Sequence, residues 1–299
     1  MQFLRNFLLD HPLINPYGFT WKRFFGNITF WCRTLPDVII IGNNKSASNT
    51  IFYNLIKHPQ ILGVSRRENR FFDANYWRGT SWYRSYFPTI FKKYFLKRKN
   101  KSNILILDSS PTCYLHPHAA KRIKKLLPKV KLIILFRNPV DHAYSLYYHR
   151  IRMKSEKLTF EEAIKEDKQR AEETNKKWLN NEVKEHTWKD LRISYLSDGF
   201  YFEHINKWYS LFDKINIHCI NMNDISKEPI KILNNLCDFL EISPYHFNDY
   251  EIKNVAKDHP RKGAYPPMNP ETREKLIEFY KESNEKLEKF LNKKLNWNN

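Results

Sequence analysis

Short, nearly all-apolar runs recur along the chain, each ahead of a segment whose apolar positions return every three or four residues. The runs at 38–41, 104–107, 131–136 and 215–221 read as strands, and such uniform apolarity implies cover by helices on both faces. Helical spacing follows each of them, at 50–57, 117–127, 140–152 and 229–240. Repeated strand–helix units predict an α/β fold, a three-layer arrangement with a central parallel sheet flanked by helices. Residues 154–192 break the pattern: dense in Glu and Lys and poor in aliphatic residues, they read as exposed helix inserted between the third unit and the last, a lid or an excursion. Near the end, Asn269-Pro270-Glu271 combines a capping residue, a first-turn proline and an early acid. Leu276, Tyr280, Leu287 and Leu291 then recur at helical spacing, so a long closing helix is expected. The domain reading is an N-terminal extension, 1–35, ahead of one domain, 36–299.

Charge changes the picture more than composition does. The 299 residues carry 51 Lys and Arg against 32 Asp and Glu, a formal net charge of +19, which points to an anionic partner unless the excess is merely solvated surface. The cations are spread along the whole chain, and no helix-turn-helix, RRM or zinc pattern accompanies them, so nucleic acid is not the expected partner. Cys32, Cys113, Cys219 and Cys237 lack any paired spacing, and the histidines lack ligand spacing, so no metal is expected and reduced thiols in a cytoplasmic protein are. The apolar residues from Met1 to Leu9 are interrupted by Arg5 and Asn6 and followed by Asp10, which predicts neither a transmembrane segment nor a signal peptide. The stretch from Phe19 to Arg33, rich in Trp, Phe, Lys and Arg, either packs over the domain or rests peripherally on a membrane or an acidic polymer.

The candidate chemistry begins where the first strand ends. Gly42-Asn43-Asn44-Lys45-Ser46-Ala47-Ser48-Asn49-Thr50 puts a loop of small residues and one lysine at a helix N-terminus, where unpaired N–H groups favour an anion. The spacing is not Walker A, which needs a second glycine before Lys and Ser/Thr, and no acidic Mg²⁺ ligand follows a later strand. Both points count against a kinase-like phosphotransferase. Arg137 follows an all-apolar strand, so it emerges at a sheet's carboxyl end, and a guanidinium there suits a bidentate phosphate grip, with Ser145 two helical turns on.

Several ordered blocks resemble the sulfotransferases that use 3′-phosphoadenosine-5′-phosphosulfate (PAPS), above all their carbohydrate, heparan sulfate-type branch. Pro36 to Gly42 with Lys45 and His58-Pro59 is similar to their 5′-phosphosulfate loop. Glu68-Asn69-Arg70-Phe71-Phe72-Asp73, followed by Tyr76, Gly79 and Trp82-Tyr83, is similar to "E-x-H-F-F-D … Y … G … W-Y". Arg137-Asn138-Pro139-Val140 with Ser145 resembles the 3′-phosphate segment "R-D-P-V … S". Gly199-Phe200-Tyr201, His204 and Trp208 resemble "G-x-Y-x-x-H-x-x-x-W", and Arg261-Lys262-Gly263 lies where the family has a basic loop near the nucleotide.

The resemblance implies a P-loop-like fold and transfer of a sulfuryl group from PAPS to a hydroxyl or amine, releasing adenosine 3′,5′-bisphosphate (PAP). The acceptor is then a carbohydrate or a small-molecule natural product. Lys45 and Glu68 become catalytic candidates, Lys45 on the departing bisphosphate and Glu68 as general base. Lys45, Ser46, Ala47, Ser48, Asn49, Thr50, Arg137, Ser145, Tyr201, Arg261, Lys262 and Gly263 become donor-binding candidates. His204 reads as packing. The chain departs from the family in four places: Ala47 and Ser48 replace loop glycines and disfavour positive φ, Arg70 replaces a common histidine, Ser109 stands where many glycan enzymes have lysine, and Ala264 stands where arginine is frequent.

Overall fold

A computed structural model of the chain describes residues 21–184, 194–252 and 265–298, with only the backbone of 21–24. Five strands form one parallel sheet: β1 (Val38–Gly42), β2 (Ile61–Gly63), β3 (Leu105–Ser109), β4 (Lys131–Phe136) and β5 (Ile217–Asn221), in the spatial order β2-β3-β1-β4-β5. The helices are α1 (Trp21–Ile28), α2 (Ser48–Leu55), α3 (Gly79–Arg84), α4 (Ile90–Asn100), α5 (Ala119–Leu126), α6 (Pro139–Arg152), α7 (Phe160–Lys165), α8 (Asp167–Leu179), α9 (Tyr201–Tyr209), α10 (Met222–Lys227), α11 (Pro229–Leu240) and α12 (Pro270–Leu291).

Ile39, Ile40 and Ile41 of β1 and Leu132, Ile133 and Ile134 of β4 are wholly buried, as strands covered on both faces must be. Each such side chain contributes up to about 1.5–3 kcal/mol by leaving water. The fold is the expected α/β architecture. β4 matches its expected bounds residue for residue, and β5 starts two residues late because Lys214–Asn216 first wind a 3-10 turn. β2 has no counterpart in the sequence reading, since three residues are too few to show a period. It forms because Ile61 finds Leu105 beside it and the Leu105 N–H donates to the Gln60 carbonyl at 2.8 Å.

The insert is helical, with most of its residues exposed or half-exposed, but it is not exposed all round. It forms α7 and α8, but Asp167, Arg170, Thr174 and Trp178 of α8 are buried, and 185–192 lie outside the described residues. Arg170 pairs with Glu156 at 2.5 Å and Glu166 at 2.9 Å. The Asp167 carboxylate accepts from the Ser194 hydroxyl at 2.7 Å and the Leu196 N–H at 2.9 Å, anchoring the strand of chain that enters α9. The closing helix α12 begins as expected, with the Asn269 side chain accepting from the N–H groups of Glu271 and Thr272.

The sheet order places the site. The chain leaves β1 toward β2 on one side and leaves β4 toward β5 on the other, so a crevice opens between the carboxyl ends of β1 and β4. That is the switch point at which open α/β sheets bind ligands.

Candidate functional site

The loop after β1 enters the crevice through Gly42, whose φ is 137° and where a Cβ would stand 2.4 Å from the Leu135 carbonyl oxygen of β4. No other residue fits there. Lys45 and Ala47 also take positive φ, 67° and 65°, so the loop adopts left-handed turns without glycine, contrary to the disfavour expected for Ala47. The turns aim the N-terminus of α2 into the crevice. Around it, Ser46 Oγ and Asn49 Oδ1 are buried without a hydrogen-bond partner, as is Asn43 Oδ1 nearby, while Ser48 and Thr50 are buried in the first turn. Orphaned polar atoms beside a helix N-terminus and a lysine fit a phosphate or sulfate group.

Arg137, one residue past β4, crosses the crevice and donates from Nη1 to the Lys45 carbonyl at 3.1 Å. The sequence candidates Lys45 and Arg137 therefore meet. Burial lowers the Lys45 pKa, Arg152 and Arg137 push it the same way, and Glu68 opposes them. Four charged groups thus converge, with cations in excess, an environment that an incoming anion relieves. Arg152, in the last turn of α6, was not singled out in the sequence, where nothing separates it from the other cations of a basic chain.

Ser145 lies on the buried face of α6, whose N-terminus is capped by Asn138, its Oδ1 accepting from the Val140 N–H at 2.9 Å. Tyr201 lies one layer beneath the loop. Its ring packs on Phe136 and Trp297, and its buried hydroxyl approaches the Arg137 backbone and the Asn43 side chain without closing a hydrogen bond. Arg261, Lys262 and Gly263 lie outside the described residues, as does Ala264.

Glu68 stands on an adjacent strained turn, with φ 53° at Glu68 and 56° at Arg70. Its N–H donates to the Ser109 carbonyl at the end of β3 at 2.9 Å, and its exposed carboxylate pairs with Arg67 at 3.1 Å. Arg70 turns away to Asp73 at 2.9 Å, which lowers the Asp73 pKa against its burial. The residue in the usual histidine position is therefore part of a structural ion pair. Asn69 donates to Asp108, which also accepts from the Tyr83 hydroxyl at 2.7 Å, and Phe71 stacks on Tyr83 at 4.4 Å between ring centres. The block that carries Glu68 is thus bolted to β3 and α3. Ser109 Oγ is buried and unpartnered beneath it.

A cavity of about 490 Å³ adjoins the loop, lined by Asn44, Thr112, Trp178 of the insert, Asp198, His204 and Lys207, among others. Asn43 Nδ2 donates to the Asp198 carbonyl at 2.7 Å, tying this wall to the loop. Asp198 touches the cavity yet is closely enclosed by protein, and that burial, with Asp167 nearby, pushes its pKa up to about 8. Burial also lowers His204 to about 4 and moves Lys207 downward. His204 rests against the Tyr114 ring, in keeping with packing, but it also reaches the cavity. The sequence reading missed this cavity, because its walls come from segments more than 150 residues apart. Among the described residues no group of His, Cys, Asp or Glu is placed to hold a metal ion, and no helix is long and apolar enough to cross a membrane. All four cysteines are free thiols.

A parallel sheet with a helix N-terminus, a lysine and an arginine gathered at its switch point is an arrangement by which open α/β folds bind anionic ligands. The family profile described as "Sulfotransferase domain" matches residues 35–295, and the chain belongs to that family. It is a sulfotransferase enzyme with relatives in the carbohydrate branch. The chain is 28% identical over 329 residues to membrane-associated sulfotransferase kil1 of Dictyostelium discoideum, covering 89% of this chain and 67% of that protein. It is 30% identical over 285 residues to bifunctional heparan sulfate N-deacetylase/N-sulfotransferase 1 of Caenorhabditis briggsae, covering 87% of this chain but only 30% of that protein. Among solved structures, a sulfotransferase from Alicyclobacillus acidocaldarius superposes with a TM-score of 0.63 at 21% identity, over 89% of this chain and all of that one, which establishes the shared fold. The expectation of a cytoplasmic protein gains no support from these relatives, one of which is named as membrane-associated.

Proposed function

We propose that the chain transfers the sulfuryl group of PAPS to a hydroxyl or amine of a carbohydrate. The observation that carries the donor assignment is the meeting of Lys45, Arg137 and the N-terminus of α2 across the β1–β4 crevice, lined by unpartnered polar atoms. The loop of residues 45–50 holds the 5′-phosphosulfate and Arg137, with Ser145 on the same helix, takes the 3′-phosphate. The S–O bond to the donor phosphate breaks as the bond from sulfur to the acceptor forms. Lys45 offsets charge on the departing PAP, Glu68 accepts the acceptor's proton, and Arg152 supplies the second cation that Ser109 cannot. Arg67 holds Glu68 in its ion pair until the acceptor arrives.

The cavity beside Asn44 supports the carbohydrate reading. Trp178 offers a ring face, and the Asp198 carboxyl, still largely protonated near neutral pH, offers a donor to sugar oxygens. The heparan sulfate enzymes among the relatives support it too, although the chain spans under a third of their length.

Calorimetric titration with PAP, against Mg-ATP as control, tests the donor site. Arg137→Ala is expected to weaken PAP binding roughly 10- to 100-fold, while Glu68→Gln leaves it intact and cuts turnover about a hundredfold or more. Equal PAP affinity in Arg137→Ala and wild type removes the 3′-phosphate assignment.

A further inference from the structure

Helix α4 turns its apolar side outward. None of its residues is buried, and it leans on the domain through half-buried Leu96 and through Lys93, whose ammonium reaches Asp37 at 2.7 Å. At about 100° per residue, Ile90, Phe91, Tyr94 and Phe95 form a stripe on the side away from those contacts. They are 49%, 71%, 58% and 65% exposed.

The chain from α1 runs alongside. Arg33 forms an antiparallel bridge with Thr89, and the Thr34 N–H donates to the Pro88 carbonyl at 2.9 Å, immediately before α4 begins. Trp31, two residues before the bridge, is thereby carried toward the start of α4, while Phe25 and Ile28 belong to α1, which packs against α3; all three are more than half exposed. Two segments far apart in sequence, linked at 33–34 and 88–89, thus both turn aromatic and aliphatic side chains outward, more than the singly scattered apolar residues of an ordinary surface.

The charge beside them has one sign. No Asp or Glu occurs from 74 to 107 or from 11 to 36, while Lys92, Lys97, Arg98 and Lys99 border the stripe on α4. A sulfated or phosphorylated polymer would engage those cations and leave the phenylalanine and isoleucine side chains in water. A bilayer with anionic headgroups satisfies both, taking the rings at the acyl boundary while the long cationic side chains reach up to the phosphates. We propose that this face, α4 with the segment from Phe25 to Trp31, seats the enzyme on an anionic lipid surface.

The seat lies at the amino ends of the strands, since Asp37 immediately precedes β1, whereas the PAPS crevice lies at their carboxyl ends. A five-residue strand separates the two by roughly 17 Å. The enzyme so seated presents its site away from the lipid, and variants of the seat leave the site untouched.

The test is co-sedimentation of the full chain with vesicles of phosphatidylcholine alone and of equal parts phosphatidylcholine and phosphatidylserine. Wild type is expected to pellet with the anionic vesicles. Phe91→Ser with Phe95→Ser should reduce partition roughly tenfold per phenylalanine, and Lys97→Gln with Lys99→Gln about fivefold per lysine. PAP affinity and thermal midpoint should be unchanged in both variants, which separates this proposal from the donor assignment. Absence of vesicle binding overturns it. So does binding that survives the phenylalanine changes, a soluble sulfated polysaccharide that binds wild type and the phenylalanine variant equally while vesicles bind neither, or a concentration-dependent dimer in sedimentation velocity that the same variant abolishes.

Discussion

Ala47 and Gly42 show how differently two residues of one loop tolerate positive φ. Ala47, at 65°, meets the left-handed penalty of about 1–2 kcal/mol that an L residue incurs. Ala47→Gly removes it at the cost of a freer unfolded chain, so denaturant unfolding should show a net gain of about 0.5 kcal/mol. Gly42→Ala adds a Cβ 2.4 Å from a β4 carbonyl and should cost more than about 3 kcal/mol, because β1 and β4 cannot both keep their register. The loop's place and its lysine were legible in the sequence as a strand followed by small residues and a helix. Its conformation was not, because the cross-strand register that crowds Gly42 and the packing that holds Ala47 left-handed are tertiary facts.

At the scale of elements, the segment from Glu68 to Tyr83 is held by buried polar groups rather than by regular structure. Asp73 lies between Arg70, Thr112 and its own turn, and Asp108 joins Asn69 to Tyr83. Asp73→Asn breaks the pair and leaves the guanidinium without its countercharge, with an expected loss of about 3 kcal/mol in urea unfolding. Turnover should fall as well, since Glu68 depends on that turn for its position. The sequence made Glu68 visible through its block. Which arginine serves which acid was undecidable there, because adjacent residues on a tight turn point to opposite sides. The insert shows the converse. Its Glu and Lys content read as exposure, yet Arg170 and Asp167 are buried with partners that sequence distance concealed.

For the molecule as a whole, buried histidines set the acid limit. Burial lowers His116 and His142 to about 3 and His204 to about 4, against 6.5 in the unfolded chain. Below pH 6.5 the unfolded chain takes up protons that the folded one refuses. The histidine contribution is therefore fully present above 6.5 and is lost as the pH drops toward 4; Asp198, with its pKa raised to about 8, works in the opposite sense and offsets part of that loss, leaving a net fall on the order of a few kcal/mol. Thermal midpoints measured from pH 7.5 to about 4 should decline through that window, and His204→Gln should flatten the decline. A midpoint constant down to pH 5 would contradict this.

The strand–helix units built on β1, β3, β4 and β5, the loop of small residues with Lys45, Arg137 and the family blocks follow from the sequence alone, because each rests on residues close together in the chain and on local periodicity. The tertiary structure alone decided that Arg152 joins Lys45, that Trp178, Asp198 and Lys207 wall one cavity beside the loop, and that α4 turns its aromatic stripe outward while the segment before β1 is bridged to its start. These depend on which distant segments the sheet brings together, and that arrangement is set by packing of the whole core, which no local pattern records.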